Sequence, residues 1–276
     1  MLLAIDIGNT NVVVALFAAD DDVTRTAAVL HEWRISTDAR RTGDEYASFL
    51  AMMFRSAGVD TARIENVVVS SVVPALVGTF VSVARGITGK KPLLVGKDLY
   101  PLLPVTFPPP AEHELGADLL CNAVEAWCRF RKAAIVVDFG TALTFTTIDQ
   151  FGAVQGVAIA PGLGTAIRSL SANTAQLPLV ELKAPPTSLG ANTVECIQAG
   201  VILGYKGLVE YMIARTKADL CARTGVAAAD IHVVATGGLN SVLQPIVDCF
   251  EDFDRELTLQ GLRRVALFAA QRDVRA

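Results

Sequence analysis

The sequence has little charge, few histidines and no long apolar segment. Charged residues make up 19% of the 276 residues and apolar residues 52%, whereas a disordered chain combines low hydrophobicity with high charge. The longest apolar run near the start, 12–19, is far shorter than the ~20 residues that span a bilayer. No basic segment precedes an apolar one there, so we expect neither a targeting peptide nor association with a membrane.

Five cysteines and three histidines are scattered along the chain without a Cys-x-x-Cys pair. This spacing argues against a disulfide framework and a structural zinc site, so we expect buried thiols in a cytoplasmic protein. The formal net charge is −4 and the isoelectric point is near 5.4, so no basic field favours nucleic acid. The mean hydropathy of +0.43 leads us to expect apolar area buried between subunits.

Common nucleotide-binding motifs are also missing. Gly89-Lys90-Lys91 lacks the upstream Gly and the following Ser or Thr of a Walker A loop, and Gly162-Leu163-Gly164 does not complete a dinucleotide fingerprint. Asp138-Phe139-Gly140 lacks the glycine-rich loop and catalytic-loop motifs that accompany this tripeptide in protein kinases. A nucleotide site in this chain must therefore use another architecture.

Two segments of similar pattern begin at residues 2 and 133. Each opens with three apolar or β-branched runs that predict a β-meander, and later runs predict further strands. The predicted strands are Leu2–Ile7, Asn11–Ala18, Ala28–Ser36, Ile64–Ser71 and Leu93–Gly96, then Ala133–Asp138, Leu143–Ile148, Val154–Ile159 and Ile231–Ala235. Helical periodicity covers Asp44–Ser56, Pro74–Thr88 and Gly116–Phe130, then Gly164–Ala172, Thr193–Thr224, Ser241–Phe250 and Gly261–Gln271. We interpret the pattern as an internal duplication with domains at 1–132 and 133–276, although chance is the alternative for the few shared letters.

An aspartate ends the first predicted strand of each half, and a glycine turn follows it. The two segments read Asp-Ile-Gly-Asn-Thr-Asn at 6–11 and Asp-Phe-Gly-Thr-Ala-Leu-Thr at 138–144. Backbone amides and short polar side chains in such hairpins suit a phosphate chain, and a carboxylate so close to phosphate implies an intervening metal ion. Two equivalent hairpins would hold opposite sides of one phosphate chain, whereas each alone is equally well an ordinary capped turn.

Two other segments carry candidate chemistry. Thr-Gly-Gly-Leu at 236–239 lies between a predicted strand and a helix, where glycines would let the backbone approach adenosine; a tight turn is the alternative. Asp118 follows Gly116 at a predicted helix start within the segment 113–122, and it is a candidate general base for a substrate hydroxyl. A simple helix-start aspartate is the alternative there.

Taken in order, six segments resemble the type III pantothenate kinases. They are DIGNT at 6–10, GAD at 116–118, DFGTA at 138–142, APG at 160–162, GANT at 190–193 and TGGL at 236–239. The resemblance covers nearly the whole chain. It implies an α/β fold of two ribonuclease-H-like (actin-like ATPase) domains, with mixed β-sheets flanked by helices and a nucleotide cleft between them. It also implies that a homodimer phosphorylates pantothenate with ATP to 4′-phosphopantothenate, the first step of coenzyme A biosynthesis.

The same resemblance implies the cofactors and the site residues. ATP would bind with Mg²⁺, and a monovalent cation, K⁺ or NH₄⁺, would also be required. Asp118 would take the proton of the pantothenate hydroxyl, Asp138 would hold the monovalent cation, and Asp6 would reach phosphate through Mg²⁺. The residues implied for ATP are Asp6, Ile7, Gly8, Asn9, Thr10, Asn11, Val12, Val13 and Thr141. Those implied for pantothenate are Phe107, Gly116, Ala117, Asp118, Leu119 and Thr193, with Thr193 reaching the site from the partner subunit.

One position departs from the family pattern. The family usually has an arginine that touches substrate after Gly-Ala-Asp, and Leu119 stands there instead. A leucine cannot make a bidentate contact with a carboxylate, so Lys97, Arg168 or Lys206 would have to compensate. The departure keeps open another small-molecule hydroxyl kinase of the same superfamily. A non-catalytic accessory protein is a further alternative, which the presence of all three aspartates disfavours.

Overall fold

The computed structural model describes residues 1–108, 115–238 and 240–273, and the chain divides into two compact units. The first unit contains Met1–Arg129 together with the residues from Leu257 onward, and the second contains Phe130–Glu256. Among the residues so described, no helix combines the length and the apolar character that crossing a membrane requires.

The first unit is built on a mixed sheet with strand order β3-β2-β1-β4-β5. Its elements are β1 (Leu2–Ile7), β2 (Asn11–Phe17), β3 (Val29–Ser36), α1 (Gly43–Ser56), β4 (Asn66–Ser71), α2 (Pro74–Thr88), β5 (Leu93–Leu94), α3 (Ala117–Phe130) and α8 (Leu257–Asp273). The central strand β1 is apolar and buried on both faces, and it pairs antiparallel with β2 and parallel with β4. The flanking helices have clear local signals: Thr42 and Glu45 form a capping box at α1, and α2 starts at Pro74 and ends before a left-handed Gly89.

The second unit repeats this architecture. Its elements are β6 (Ala134–Phe139), β7 (Ala142–Ile148), β8 (Val154–Pro161), α4 (Leu163–Ala172), α5 (Thr193–Gln198), α6 (Gly204–Thr224), β9 (His232–Thr236), α7 (Asn240–Leu243) and β10 (Asp252–Phe253). The strand order is β10-β9-β6-β7-β8, with β6 antiparallel to β7 and parallel to β9. Residues of β6, β7 and β9 such as Ile135, Phe145 and Val233 form the centre of its core.

The two sheets have the same topology, and their registers correspond. Asp6 lies opposite Val13 and Ser70, as Asp138 lies opposite Thr144 and Thr236. A mixed α/β fold with two five-stranded sheets flanked by helices confirms the predicted fold class. The repeated order also supports the interpretation that the chain contains an internal duplication.

The last helix, α8, packs with the first unit, although it lies at the far end of the sequence. Arg264 pairs with Glu125 of α3, with 3.2 Å between Nη2 and Oε1, and Arg263 donates hydrogen bonds to carbonyls of the loop between β2 and β3. Gly261 permits the close crossing, because a Cβ there would overlap the backbone of α3. This grouping differs from the predicted division at 132/133, which assigns the whole C-terminal end to the second domain.

Two local predictions need correction, and one short strand was not predicted. The predicted helix Thr193–Thr224 is divided into α5 and α6 by a π-helical segment, Ala199–Leu203. The predicted helix Ser241–Phe250 is wrong beyond Leu243, because a short 3-10 helix with Pro245 in its first turn and then an extended segment follow. Strand β10, only two residues long, carries too little periodicity to be predicted.

Candidate active site

The β1–β2 hairpin holds the first polar segment in a defined turn. The Gly8 amide donates to the Asn11 carbonyl at 3.0 Å. From the end of β3, the Thr37 hydroxyl donates to the Gly8 carbonyl at 2.7 Å, and its amide donates to the Thr10 carbonyl at 2.9 Å. Asn9 and Thr10 are exposed at the tip, so their amides and side chains are placed to meet a ligand.

The remaining hairpin residues have different roles in the fold. Ile7 and Val12 are completely buried and belong to the core, so they anchor the turn and cannot offer side chains to a ligand. Val13 is half-buried and lies directly opposite Asp6. The hairpin therefore presents a polar tip on a rigid apolar base.

Asp6 lies next to a buried serine on the neighbouring parallel strand. Ser70 of β4 is opposite Asp6 in the register and has no exposed surface. Its hydroxyl donates to Oδ1 of Asp6. This contact orients the Asp6 carboxylate at the carboxyl end of β1.

Asp118 is the second residue of α3 and is half-buried. The Leu119 amide donates to Oδ1 of Asp118 at 2.8 Å. This oxygen also lies over Gly116, where a side chain would collide with it. Burial raises the pKa of the Asp118 carboxyl above its usual value, and the Leu119 hydrogen bond partly opposes the rise. A higher pKa makes this carboxylate a better proton acceptor near neutral pH.

The buried thiol of Cys121 is affected by the charges of both Asp118 and Asp6. Cys121 is completely buried one turn after Asp118 on α3. Burial raises the pKa of this thiol well above its usual value, and the negative charges of Asp6 and Asp118 raise it further. Asp6 and Asp118 therefore both lie within electrostatic range of Cys121, and this neutral thiol is not a nucleophile.

The other residues implied for pantothenate in this unit are less accessible. Leu119 is 7% exposed and Phe107 is 9% exposed. The Phe107 ring packs against Tyr100, with 4.7 Å between centroids. Gly116 and Ala117 are half-buried beside Asp118. His113, in the same sequence motif, lies outside the described residues.

In the second unit, Asp138 is flanked by two threonines. Thr144 of β7 and Thr236 of β9 lie opposite it in the register, and both are buried. Their Oγ1 atoms have no hydrogen-bond partner within the described part of the chain. Gly237, with φ of 90°, brings its backbone against the same carboxylate, where a Cβ would lie 2.6 Å from Oδ1. This oxygen-rich environment suits a hard cation, which prefers carboxylate, hydroxyl and carbonyl ligands.

Thr141 lies in the tight turn between β6 and β7. Gly140 donates to the Ala142 carbonyl at 3.1 Å, and Gly162, just before α4, donates to the Thr141 carbonyl at 2.9 Å. The Thr165 hydroxyl also donates to the Thr141 carbonyl, at 2.8 Å. Thr141 is exposed, and contacts from the start of α4 hold its backbone in place.

Thr193 is the first residue of α5 and is exposed. Asn192 caps this helix by accepting from the Glu195 amide at 3.0 Å. The Glu195 carboxylate in turn accepts from the Ala191 amide at 2.8 Å. The Gly-Ala-Asn-Thr segment is therefore a helix cap that leaves the Thr193 side chain accessible. In Thr-Gly-Gly-Leu, Leu239 lies outside the described residues.

The three basic residues that could compensate for the arginine missing at Leu119 differ in their availability. Lys206 is paired with Glu210 and also donates to the Ile246 carbonyl. Lys97 and Arg168 are exposed, and Arg168 lies 3.5 Å from the Thr165 hydroxyl. Within residues 1–108, 115–238 and 240–273, no three His, Cys, Asp or Glu side chains cluster as a metal site.

Sequence comparison connects this arrangement with a known family. Residues 2–215 match the family model described as type III pantothenate kinase. A type III pantothenate kinase of Treponema pallidum (strain Nichols) is 42% identical over 265 residues, which cover 96% of this chain and 93% of that protein. One from Moorella thermoacetica is 41% identical over 96% of this chain and 98% of that protein. The chain belongs to the type III pantothenate kinase family.

Solved structures support the fold of this family member. A Campylobacter jejuni protein named for the Baf family of transcriptional activators aligns with a TM-score of 0.56 and 17% identity, over 99% of this chain and all of the other. The Clostridium difficile activator of 2-hydroxyisocaproyl-CoA dehydratase, solved with bound ADPNP, aligns with a TM-score of 0.50 and 15% identity, over 99% and 96% of the two chains. At such identities the likeness concerns the fold alone.

Sequence reasoning missed Ser70, and it did not connect Thr236, which lies in the Thr-Gly-Gly-Leu segment, with Asp138. Ser70 and Thr236 each follow an apolar run at the carboxyl end of a strand, which is a weak signal of a polar site. Their position opposite Asp6 and Asp138 depends on the pairing of strands that are distant in sequence. The role of Gly237 was likewise invisible until strand β9 was placed beside β6.

Proposed function

We propose that this chain transfers the terminal phosphoryl group of ATP to the hydroxyl of pantothenate. The product is 4′-phosphopantothenate, and the reaction is the first step of coenzyme A biosynthesis. The observation that carries the proposal is the position of Asp118 in a member of this kinase family. Its carboxylate has a raised pKa and, like that of Asp6, acts electrostatically on Cys121. Retention of Asp6, Asp118 and Asp138 also favours an enzyme over an accessory protein.

Asp118 acts as the general base. Its carboxylate accepts the proton of the substrate hydroxyl as that oxygen bonds to phosphorus, and ADP leaves with the electrons of the broken bond. Because phosphoryl transfer passes through a loose transition state, the main requirements are positioning and neutralisation of charge. The Leu119 amide and the space over Gly116 keep the Asp118 carboxylate in one orientation.

The two hairpins bind the phosphate chain. The amides and side chains of Asn9, Thr10 and Asn11 in the first unit are suited to contact phosphate oxygens, and so are those of the Gly140–Thr141 turn in the second unit. Asp6 would hold Mg²⁺, since carboxylate oxygens suit this ion. Asp138 would hold the monovalent cation with the Thr144 and Thr236 hydroxyls, whose buried oxygens have no other partner among the described residues. When bound, the ions neutralise charge that develops on the phosphates.

The substrate is held by the segment from Gly116 to Leu119, with Phe107 nearby and Thr193 supplied by the partner subunit. Leu119 is buried and apolar, so recognition of the pantothenate carboxylate requires another cation. This same observation favours one alternative, a small-molecule hydroxyl kinase of the same superfamily whose substrate is neutral.

The active form is a cytoplasmic homodimer that associates through the second unit. Large apolar side chains on this unit are exposed to an unusual degree: Ile159 68%, Leu179 63%, Leu189 82% and Tyr211 68%. Exposed apolar side chains that form a continuous patch are typical of surfaces that become buried on association. Size-exclusion chromatography with light scattering tests this, since a monomeric mass would remove the role of Thr193 from the partner subunit.

The decisive experiment measures ADP release from ATP with and without pantothenate, in Mg²⁺ buffers containing either potassium or sodium. We expect turnover that depends on pantothenate and requires potassium. Mass spectrometry of the product identifies 4′-phosphopantothenate. Phosphorylation of another hydroxyl compound, with none of pantothenate, would instead support the alternative kinase.

A further inference from the structure

Ser70 is placed where it can control the orientation of Asp6. The two residues are direct partners in the parallel pairing of β1 and β4, so both side chains lie on the same face of the sheet. Ser70 is completely buried, and its hydroxyl donates to Oδ1 of Asp6. Because a buried hydroxyl is costly without a partner, this contact also keeps the serine in a single orientation.

The second unit carries a related pair at the corresponding position. Thr236 of β9 lies opposite Asp138 as Ser70 lies opposite Asp6, and it is 1% exposed. Two units of the same topology therefore place a buried hydroxyl residue beside an aspartate at the carboxyl end of the first strand. Three aliphatic residues precede each hydroxyl residue, 67–69 before Ser70 and 233–235 before Thr236, so packing alone does not demand a hydroxyl there.

Ser71, the next residue, serves a different purpose. Its hydroxyl donates to the Val73 carbonyl at 3.1 Å and accepts from the Val73 amide at 3.0 Å. It therefore closes the turn that leads into α2. Since successive side chains of a strand point to opposite faces, Ser71 is a natural control for any effect of Ser70 on Asp6.

We infer that Ser70 is a positioning residue that holds the Asp6 carboxylate in the orientation required for Mg²⁺–nucleotide binding. The inference rests on the proposed function in assigning Asp6 to the Mg²⁺–nucleotide. Donation from Ser70 fixes Oδ1 of Asp6, and with it the rotation of the carboxylate. Hydrogen bonds to metal-binding carboxylates commonly change metal affinity or activity by about 10-fold to 100-fold when removed.

The test compares Ser70→Ala, Ser70→Cys and Ser70→Thr with Ser71→Ala. Titration calorimetry with ADP at several Mg²⁺ concentrations reports binding without turnover. Steady-state kinetics with pantothenate and ATP report kcat and the Mg²⁺ concentration at half-maximal rate. We expect Ser70→Ala to raise the Mg²⁺ requirement for ADP binding by about 10-fold to 100-fold. Ser70→Thr should keep the wild-type Mg²⁺ requirement, since a threonine occupies the corresponding position 236. Ser71→Ala should also leave the Mg²⁺ requirement unchanged.

Ser70→Cys keeps a similar volume with a weaker donor, and it tests the inference if the alanine variant does not fold. An intermediate shift in Mg²⁺ requirement is expected for it. Wild-type Mg²⁺ dependence in a folded Ser70→Ala or Ser70→Cys protein would overturn the inference. So would a shift of equal size in Ser71→Ala. If the wild-type protein produces no 4′-phosphopantothenate, the proposed function fails, whereas the Mg²⁺–ADP titration still decides the role of Ser70.

Discussion

Replacing Gly116 by alanine should impair catalysis far more than folding. A Cβ at this position would stand about 0.6 Å inside the 3.0 Å that real Cβ atoms keep, against Oδ1 of Asp118. The next neighbour, Cγ1 of Val72, lies at an ordinary 3.6 Å. Only the flexible end of the Asp118 side chain has to move, so the loss of stability should be small.

The displacement of the base sets the expected loss of activity. To reach the 3.4 Å of an ordinary contact, the carboxylate must retreat by about 1 Å, and a misplacement of that size costs about 100-fold in rate. We therefore expect kcat to fall by about 100-fold. The same movement would stretch or break the hydrogen bond that the Leu119 amide donates to Oδ1 of Asp118, so the base would also be held less firmly.

Steady-state kinetics and thermal unfolding of the same preparations measure the two effects separately. Gly86→Ala is the matched control, because Gly86 is exposed on α2 with nothing within 4 Å of an added Cβ. Alanine there should stabilise the helix by about 0.5–1 kcal/mol without changing kcat. A Gly116→Ala enzyme with wild-type kcat would refute the assignment of Asp118 as a positioned base. A decrease in activity explained entirely by unfolded protein would refute the geometric argument.

Three other predictions follow from the same structure. Asp118→Asn should lower kcat by about 10²-fold to 10⁴-fold. Because burial raises the pKa of Asp118 in the folded state, this group stabilises the wild type at low pH, and that stabilisation is lost as the pH rises through the folded-state pKa. The variant should therefore unfold at an equal or higher temperature than the wild type at neutral pH. Glu125→Ala leaves Arg264, 1% exposed, without its buried carboxylate, and urea unfolding should show a loss of about 3–5 kcal/mol; an unchanged midpoint would contradict this. Thr236→Val removes one hydroxyl beside Asp138, and the potassium concentration for half-maximal rate should rise by about 10-fold to 100-fold; identical potassium curves would remove Thr236 from the cation site.

The local signals in the chain were sufficient to predict most elements. Leu2–Ile7 and Pro74–Thr88 have the predicted bounds, because an apolar run that leads into a glycine turn and a proline-initiated amphipathic stretch are each decided by neighbouring residues. The Ser241–Phe250 helix failed where Pro245 interrupts it. The repeated meander was predictable for the same reason, since both copies carry the same alternation and glycine turn.

The sequence by itself therefore determined the strands, the glycine turns after Asp6 and Asp138, and the helix start that carries Asp118. Only the tertiary structure decided which side chains surround those aspartates. Ser70 and Thr236 reach them through parallel pairing across more than sixty positions of the chain. Cys121 comes near Asp6 because α3 packs within the first unit, and α8 joins that unit through the buried Arg264–Glu125 pair. Such contacts depend on the three-dimensional course of the backbone, which no local pattern of residues encodes.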